Sequence, residues 1–343
     1  MAKVTTQLAR GIGFTAAGAL AAVAGGIAYS ALAVDHAATL PPALDAERRT
    51  LTSAEAGTLS YYADEWITGR PLVFVHGIDA AASAYEMRPL FGFYRTQRPV
   101  YALDLPGFGF SERADRVYTP ALYTQAVLDF LRHVGLGAGG ADVMALSLSS
   151  EFAARAALAQ PSLMRSLTLI SPSGFTDRTN RSQSERDSER QGGRLLHQLL
   201  ANPLWSQAFY DLLTSRPSIR AFLRMRFVGQ PDAGLVAYGY ATAHQPGARY
   251  APLYFLSGQL FTPNIRETVY ERLTIPALAL FDHDAFVRFD TLHEVTRRCA
   301  NWHAVRIVPS RGLPQFERLA DTTNVLETFW RIMEEDRSSS TTA

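Results

Sequence analysis

From residue 57 onwards, short continuous apolar runs alternate with longer segments whose apolar residues recur at helical spacing. Runs such as PLVFV (71–75) and ADVMAL (141–146) are typical of strands buried on both faces of a parallel sheet. Segments such as 118–134 have the spacing of amphipathic helices. Strands that alternate with helices predict an α/β fold with a mostly parallel sheet covered on both faces. The predicted strands are 58–63, 71–75, 99–103, 141–146, 166–170, 277–281 and 304–308.

One long interruption divides this alternation. No strand pattern occurs between Phe175 and Arg272, where the chain has helical stretches rich in tyrosine and phenylalanine. We interpret residues 176–272 as a helical cap inserted into an α/β core formed by residues 57–175 and 273–337. A cap over the carboxyl ends of parallel strands is typical of a closed small-molecule site.

The amino terminus has a different pattern. Residues 11–34 carry no charge and follow Lys3 and Arg10. About 20 apolar residues suffice to cross a bilayer, so residues 1–36 are predicted to contain a membrane anchor. The positive residues before the run place the body of the protein on the extracytoplasmic side.

Two alternatives for this segment remain open. The sequence Ala31-Leu32-Ala33 fits the small-x-small rule of signal cleavage, which would give a secreted protein. The run could also be an alanine- and glycine-rich buried helix. Residues 37–56 are predicted to be a linker, and the SSSTTA tail (338–343) to be disordered.

Composition narrows the classes of function. A net charge of +1, without a long basic stripe, argues against nucleic acid as a partner. A single cysteine, Cys299, excludes an intrachain disulfide and a thiolate metal cluster. The glycine motif GLGAGG (135–140) follows a helix and precedes a strand, which is the reverse of a dinucleotide-binding loop. We therefore expect neither a cofactor nor a metal, and the sequence leaves the oligomeric state open.

The candidate chemistry lies in ALSLS (145–149). An apolar strand runs directly into Ser147, and a helical pattern starts immediately afterwards. This is the strand–turn–helix context of a nucleophile elbow, with Ala145 and Ser149 as the two small residues that the tight turn requires. A serine that caps a helix would give the same local pattern.

The surrounding motifs distinguish these alternatives, because the chain resembles the cap-bearing, serine-nucleophile branch of the α/β-hydrolase superfamily. FVHGIDAAAS (74–83) resembles the family's HG segment, and ALDLPGFGFSER (102–113) resembles the loop after its fourth strand. The elbow follows at the family's distance. The resemblance implies an α/β-hydrolase fold with an eight-stranded, mainly parallel sheet.

The resemblance also implies roles for individual residues. Ser147 matches the nucleophile, and the main-chain N–H groups of Ile78 and Leu148 match the oxyanion hole. Asp284, after the strand at 277–281, matches the catalytic acid, with Asp282 as the alternative.

The family's histidine base is missing from its expected place. The strand at 304–308 is followed by PSRGLPQFER (309–318), in which Gly312 stands at the histidine position. His283, between two aspartates, is the candidate substitute base.

Two functions are therefore open. The first is a serine hydrolase that acts on an apolar small-molecule ester or related acyl substrate, with weak activity because the base is absent. The second is a non-catalytic binding or membrane-associated protein on the same scaffold.

Overall fold

A computed structural model of the chain describes residue 21 and residues 24–134, 139–176 and 183–341. Its centre is a sheet of eight strands: β1 (Glu47–Ser53), β2 (Gly57–Asp64), β3 (Leu72–Val75), β4 (Val100–Asp104), β5 (Ala141–Leu146), β6 (Met164–Ile170), β7 (Ala277–Phe281) and β8 (Trp302–Arg306). The spatial order is β1-β2-β4-β3-β5-β6-β7-β8. β2 is antiparallel to β1 and β4, and the other pairings are parallel. The predicted mainly parallel, eight-stranded sheet is confirmed.

Helices cover both faces of this sheet and form the cap. The α-helices are α1 (24–33), α2 (Arg88–Tyr94), α3 (Pro120–His133), α4 (Ser149–Ala159), α5 (Gln183–Leu200), α6 (Ser206–Leu213), α7 (Arg216–Met225), α8 (Ala233–Ala243), α9 (Tyr250–Leu256), α10 (Ile265–Thr268), α11 (Leu292–Arg298), α12 (Pro314–Glu317) and α13 (Leu319–Thr341). Short 3₁₀ helices span Ala84–Met87, Pro161–Leu163 and Tyr270–Arg272. Helices α5 to α10 lie between β6 and β7, so the predicted helical cap insertion is confirmed.

The two faces of the sheet bury separate apolar clusters, because successive side chains of a strand point in opposite directions. In β3, Val73 and Val75 pack in the cluster that includes side chains of α3 and α4. Leu72 and Phe74 pack in the cluster that includes side chains of α2 and α13. All four β3 side chains are fully buried, as the continuous apolar run predicts. This double burial fixes the strand ends that carry the candidate site.

The amino-terminal segment corrects the prediction of a single-pass membrane protein. Within the described part of the chain, no helix combines the length and the apolar content that crossing a membrane requires. The described helix, α1, packs against the cap: the Ser30 hydroxyl is buried and donates to Asp211 Oδ2 at 2.5 Å. Of the predicted anchor, residues 11–20, 22 and 23 lie outside the described residues.

Two further segments differ from the sequence-based expectation. Residues 47–53, assigned to a linker, form the edge strand β1, which pairs along its whole length with β2. Helix α13 extends to Thr341, into the tail that was predicted to be disordered, and residues 342–343 lie outside the described residues. In β1 the exposed side chains are polar and only one face is buried, so its apolar pattern is weak.

Candidate active site

Ser147 lies in the turn that connects β5 to α4, as the sequence pattern predicts. Its backbone φ is 54°, in the left-handed region that side chains with a β-carbon rarely adopt. The Ser147 N–H donates to the Ile170 carbonyl at 2.8 Å, and the Ser147 carbonyl accepts from the Ser150 N–H at 3.1 Å. Ala145 and Ser149 on either side of the turn are fully buried. The strained backbone is held by these bonds and leaves the Ser147 side chain half-buried.

The main-chain amides of Ile78 and Leu148 are available to a ligand. Ile78 follows β3, and Leu148 is the N-cap residue of α4. Among the described residues, neither N–H donates a hydrogen bond. The first turn of α4 adds the positive end of a helix dipole beside Leu148. Two unused donors of this kind can stabilise negative charge on a bound carbonyl oxygen.

Asp284 lies in the loop after β7, and its carboxylate is held by the main chain. Oδ1 accepts from the Phe286 N–H at 2.7 Å and from the Val287 N–H at 3.2 Å. Burial raises the pKa of this carboxyl, while the Arg226 guanidinium and the two amides oppose the rise. The two N–H bonds fix the orientation of the Asp284 side chain.

Gly312 lies directly against this carboxylate. A Cβ added to Gly312 would be 2.3 Å from Asp284 Oδ2 and 3.6 Å from Arg226 Nε. The φ of Gly312 is 102°, which favours glycine. The residue at the predicted base position is therefore next to Asp284, the predicted acid, and its positive φ and close contact favour a residue without a Cβ.

The other two candidates in the β7 loop have different partners. Asp282 accepts from Arg306 Nε at 2.6 Å and from the Ser310 N–H at 2.9 Å, so it ties the end of β7 to the end of β8. His283 is exposed, and its Nε2 lies 3.1 Å from Arg306 Nη2. Because arginine only donates, this contact makes Nε2 the acceptor. Among the described residues, no hydrogen bond joins His283 to Ser147 or Asp284.

His76 of the HG segment links two strand ends. It is fully buried, its Nδ1 lies 2.6 Å from the Gly77 carbonyl, and its Nε2 accepts from the Leu105 N–H at 3.0 Å. Burial lowers the pKa of His76 to about 4. Both nitrogens of this neutral imidazole contact main-chain groups, one after β3 and one after β4.

Sequence reasoning missed a group of buried charges beside the site. Arg226, which follows α7 of the cap, is 4% exposed, and its Nη1 lies 3.6 Å from Asp79 Oδ2 and 3.5 Å from Glu86 Oε1. Burial raises the pKa of both carboxyls, and Arg226 opposes the rise. Only weak signals for this group were present in the sequence. Asp79 directly follows Ile78, and Glu86 and Arg226 each stand among apolar residues.

The comparisons with known proteins agree with this geometry. The sequence model of the alpha/beta hydrolase family matches residues 72–323. A 1-acylglycerol-3-phosphate O-acyltransferase of Sus scrofa is 31% identical over 120 residues, which are 34% of this chain and 33% of that protein. An uncharacterized hydrolase of Bacillus subtilis (strain 168) is 32% identical over 126 residues, 36% of this chain and 45% of that protein. The chain thus spans less than half the length of these relatives.

Solved structures share the fold. A membrane phospholipase A, described as a bacterial virulence factor, superposes with a TM-score of 0.63 and 19% identity, over 97% of this chain and 99% of that one. A serine hydrolase involved in carbazole degradation superposes with a TM-score of 0.64 and 16% identity, over 83% of this chain and 99% of that one. The family match over most of the chain, together with the sheet order and the turn at Ser147, shows that this protein belongs to the alpha/beta hydrolase family.

Proposed function

We propose that this protein binds an apolar small-molecule acyl ester beside Ser147 and hydrolyses it slowly through that serine. The observation that carries the proposal is the strained turn at Ser147, with φ at 54°, beside two main-chain N–H groups that no described residue uses. Strain of this kind costs about 1–3 kcal/mol and persists where the surrounding structure enforces it. Such a turn, followed by a helix amino terminus, is suited to attack on an acyl carbon.

In the proposed reaction, the Ser147 oxygen attacks the ester carbonyl. The amides of Ile78 and Leu148 stabilise the negative charge of the tetrahedral intermediate. Because position 312 is glycine, the hydroxyl proton passes to water instead of to a histidine there. The intermediate then expels the alcohol, which takes a proton from water and leaves an acyl-serine. A second water molecule hydrolyses the acyl-serine and releases the acid. Loss of a general base typically costs 10²–10⁴-fold in rate. An oxyanion hole and substrate binding alone still give about 10³–10⁴-fold over the uncatalysed reaction. Slow hydrolysis is the expected result.

The substrate class follows from the space beside the acid. A cavity of about 410 Å³ opens next to the Asp284 loop. Phe261, Ile265, Phe286 and Val287 form its apolar part, and polar and charged residues that include Glu151, Arg266 and Glu267 form the rest. Phe286 and Val287 also supply the amides that hold Asp284. Two similar proteins, an O-acyltransferase and a phospholipase A, are named for chemistry on acyl groups. In this proposal, the acyl chain lies along the apolar part of the cavity, and the polar part is open to the ester or to a polar substituent.

A second candidate function is a binding protein without catalysis. The observation in its favour is that position 312, where the resemblance places the base, is a glycine, and an added Cβ there would be 2.3 Å from Asp284 Oδ2. In this alternative the ester binds beside Ser147 and is released unchanged.

A fluorophosphonate probe distinguishes the two functions. We expect the purified protein to be labelled and Ser147→Ala to abolish the label, while Ser188→Ala, an exposed serine of the cap helix α5, is labelled like the wild type. Hydrolysis of short p-nitrophenyl esters should be measurable and should disappear in Ser147→Ala. A folded wild-type protein with neither labelling nor turnover contradicts the hydrolase proposal and supports the binding protein.

A further inference from the structure

The Arg226 guanidinium makes ionic contacts with two carboxylates that follow the proposed oxyanion donor, Ile78, in the chain. Its Nη1 reaches Asp79, the residue after Ile78, and Glu86 in the following 3₁₀ helix. The Glu86 side chain is 4% exposed and that of Asp79 is 13% exposed. Two carboxyl groups in such a place repel each other when ionised, and a guanidinium between them compensates their charge.

These two carboxylates hold the main chain around Ile78. Glu86 Oε2 accepts from the Gly77 N–H at 2.8 Å. Asp79 Oδ1 accepts from the Ala81 N–H at 2.7 Å. The amides near Ile78 are therefore fixed by the carboxylates that contact Arg226, whereas the Ile78 N–H itself has no partner among the described residues.

A second bond joins the cap to the same segment. The hydroxyl of Tyr210, on α6, donates to the Ala80 carbonyl at 2.5 Å. Residues 77–82, here named the oxyanion loop, are thus attached to the cap at one neutral and one charged point. The ionic contact of Arg226 can be removed by substitution without the loss of a hydrogen bond to the main chain, whereas substitution of Tyr210 would remove its bond to the Ala80 carbonyl.

We propose that Arg226 is a positioning residue, which holds the oxyanion loop so that the Ile78 amide points at the substrate carbonyl. The proposal rests on the role proposed above for the Ile78 amide. Arg226 acts through Asp79 and Glu86 and does not itself exchange a proton. Its Nε would lie 3.6 Å from a Cβ added at Gly312, an ordinary van der Waals contact, so the guanidinium also lies close to the predicted base position.

Two substitutions at Arg226 test this role, with Arg224→Met as the matched control because Arg224 is exposed on the same helix. Amide hydrogen exchange of the oxyanion loop should be faster in Arg226→Met and intermediate in Arg226→Lys, which keeps the charge but lacks the forked guanidinium. The fluorophosphonate labelling rate should fall in the same order, by about 10²-fold for Arg226→Met, as for a lost oxyanion donor. Arg224→Met should match the wild type in both measurements.

Unchanged exchange of the oxyanion loop in folded Arg226→Met overturns the proposal, as does faster exchange with wild-type labelling. If Arg226→Met does not fold, Arg226→Lys decides: exchange above the wild-type rate supports the proposal, and equal exchange overturns it. If the wild type is not labelled at all, the proposed hydrolase function fails. In that case the exchange measurement alone still tests whether Arg226 holds the loop.

Discussion

Gly312 offers the sharpest test of how the site is built. Its Cβ would lie 2.3 Å from Asp284 Oδ2, well inside van der Waals contact, and 3.2 Å from the Asp284 carboxyl carbon. The Asp284 carboxylate cannot move freely, because Oδ1 accepts from two main-chain amides. In Gly312→Ala it must break at least one of these charge-assisted bonds, each contributing about 1.5–3 kcal/mol. The positive φ costs about 1–3 kcal/mol more.

The expected loss in the free energy of unfolding for Gly312→Ala is therefore about 3 kcal/mol or more, measured by urea denaturation. Gly258 is the matched control: its φ is 76°, and an added Cβ would meet no atom within 4 Å. Gly258→Ala should show only the backbone cost, so the difference between the two variants isolates the contact with Asp284. Equal losses in the two variants would refute this reasoning.

The same argument applies to Gly312→His. A histidine at this position inherits the strained backbone and the contact with Asp284, and Arg226 Nε borders it on the other side. We expect the clash with Asp284 to displace the imidazole from a place between Asp284 and Ser147, so ester hydrolysis should stay close to the wild-type rate. A folded Gly312→His protein with a rise of about 10²–10⁴-fold, typical of a new general base, would show that the site can accommodate the side chain after all.

Two further predictions concern buried carboxylates. Burial raises the pKa of Asp104 to about 6, so the folded state binds this proton more tightly than the unfolded chain, and stability should fall by about 3 kcal/mol as the pH rises from about 4 to 6. Urea denaturation at pH 4 and pH 7 should show a loss that is larger by about this amount in the wild type than in Asp104→Asn, in which the other buried carboxyls still contribute; equal losses in the two proteins would contradict it. Asp211 is fully buried, accepts a hydrogen bond from the Ser30 hydroxyl and lies 3.0 Å from His36 Nε2. Asp211→Ala should therefore lower the free energy of unfolding by about 2–4 kcal/mol. The exposed carboxylate of Asp321 serves as the control, since Asp321→Ala should cost less than about 1 kcal/mol; similar losses for the two variants would show that the Asp211 contacts contribute little.

The sequence was sufficient for the sheet and for the turn that carries Ser147. Apolar runs such as 71–75 mark strands because burial on both faces leaves no polar position in them. The turn at Ser147 was also visible, because its small neighbours are adjacent in the chain. The position of Asp284, and the glycine at 312, followed from the order of motifs after each strand. These features depend on residues close together in sequence.

The amino-terminal run shows where local pattern is insufficient. An uncharged stretch rich in alanine and glycine has the same composition in an anchor and in a helix packed on protein. What distinguishes them here is the contact of Ser30 with Asp211, 181 residues away. No pattern within the run contains that information.

The burial and the ionic contacts of Arg226 depend on tertiary structure for the same reason. Its sequence context is a basic, amphipathic cap helix, in which an arginine is ordinarily exposed. Only the folding of the cap against the sheet brings its guanidinium to Asp79 and Glu86. The sequence determines which groups the strand ends can present, because strand order and turn chemistry are local. Tertiary structure decides which buried charges meet there, because each pair joins elements that are distant along the chain.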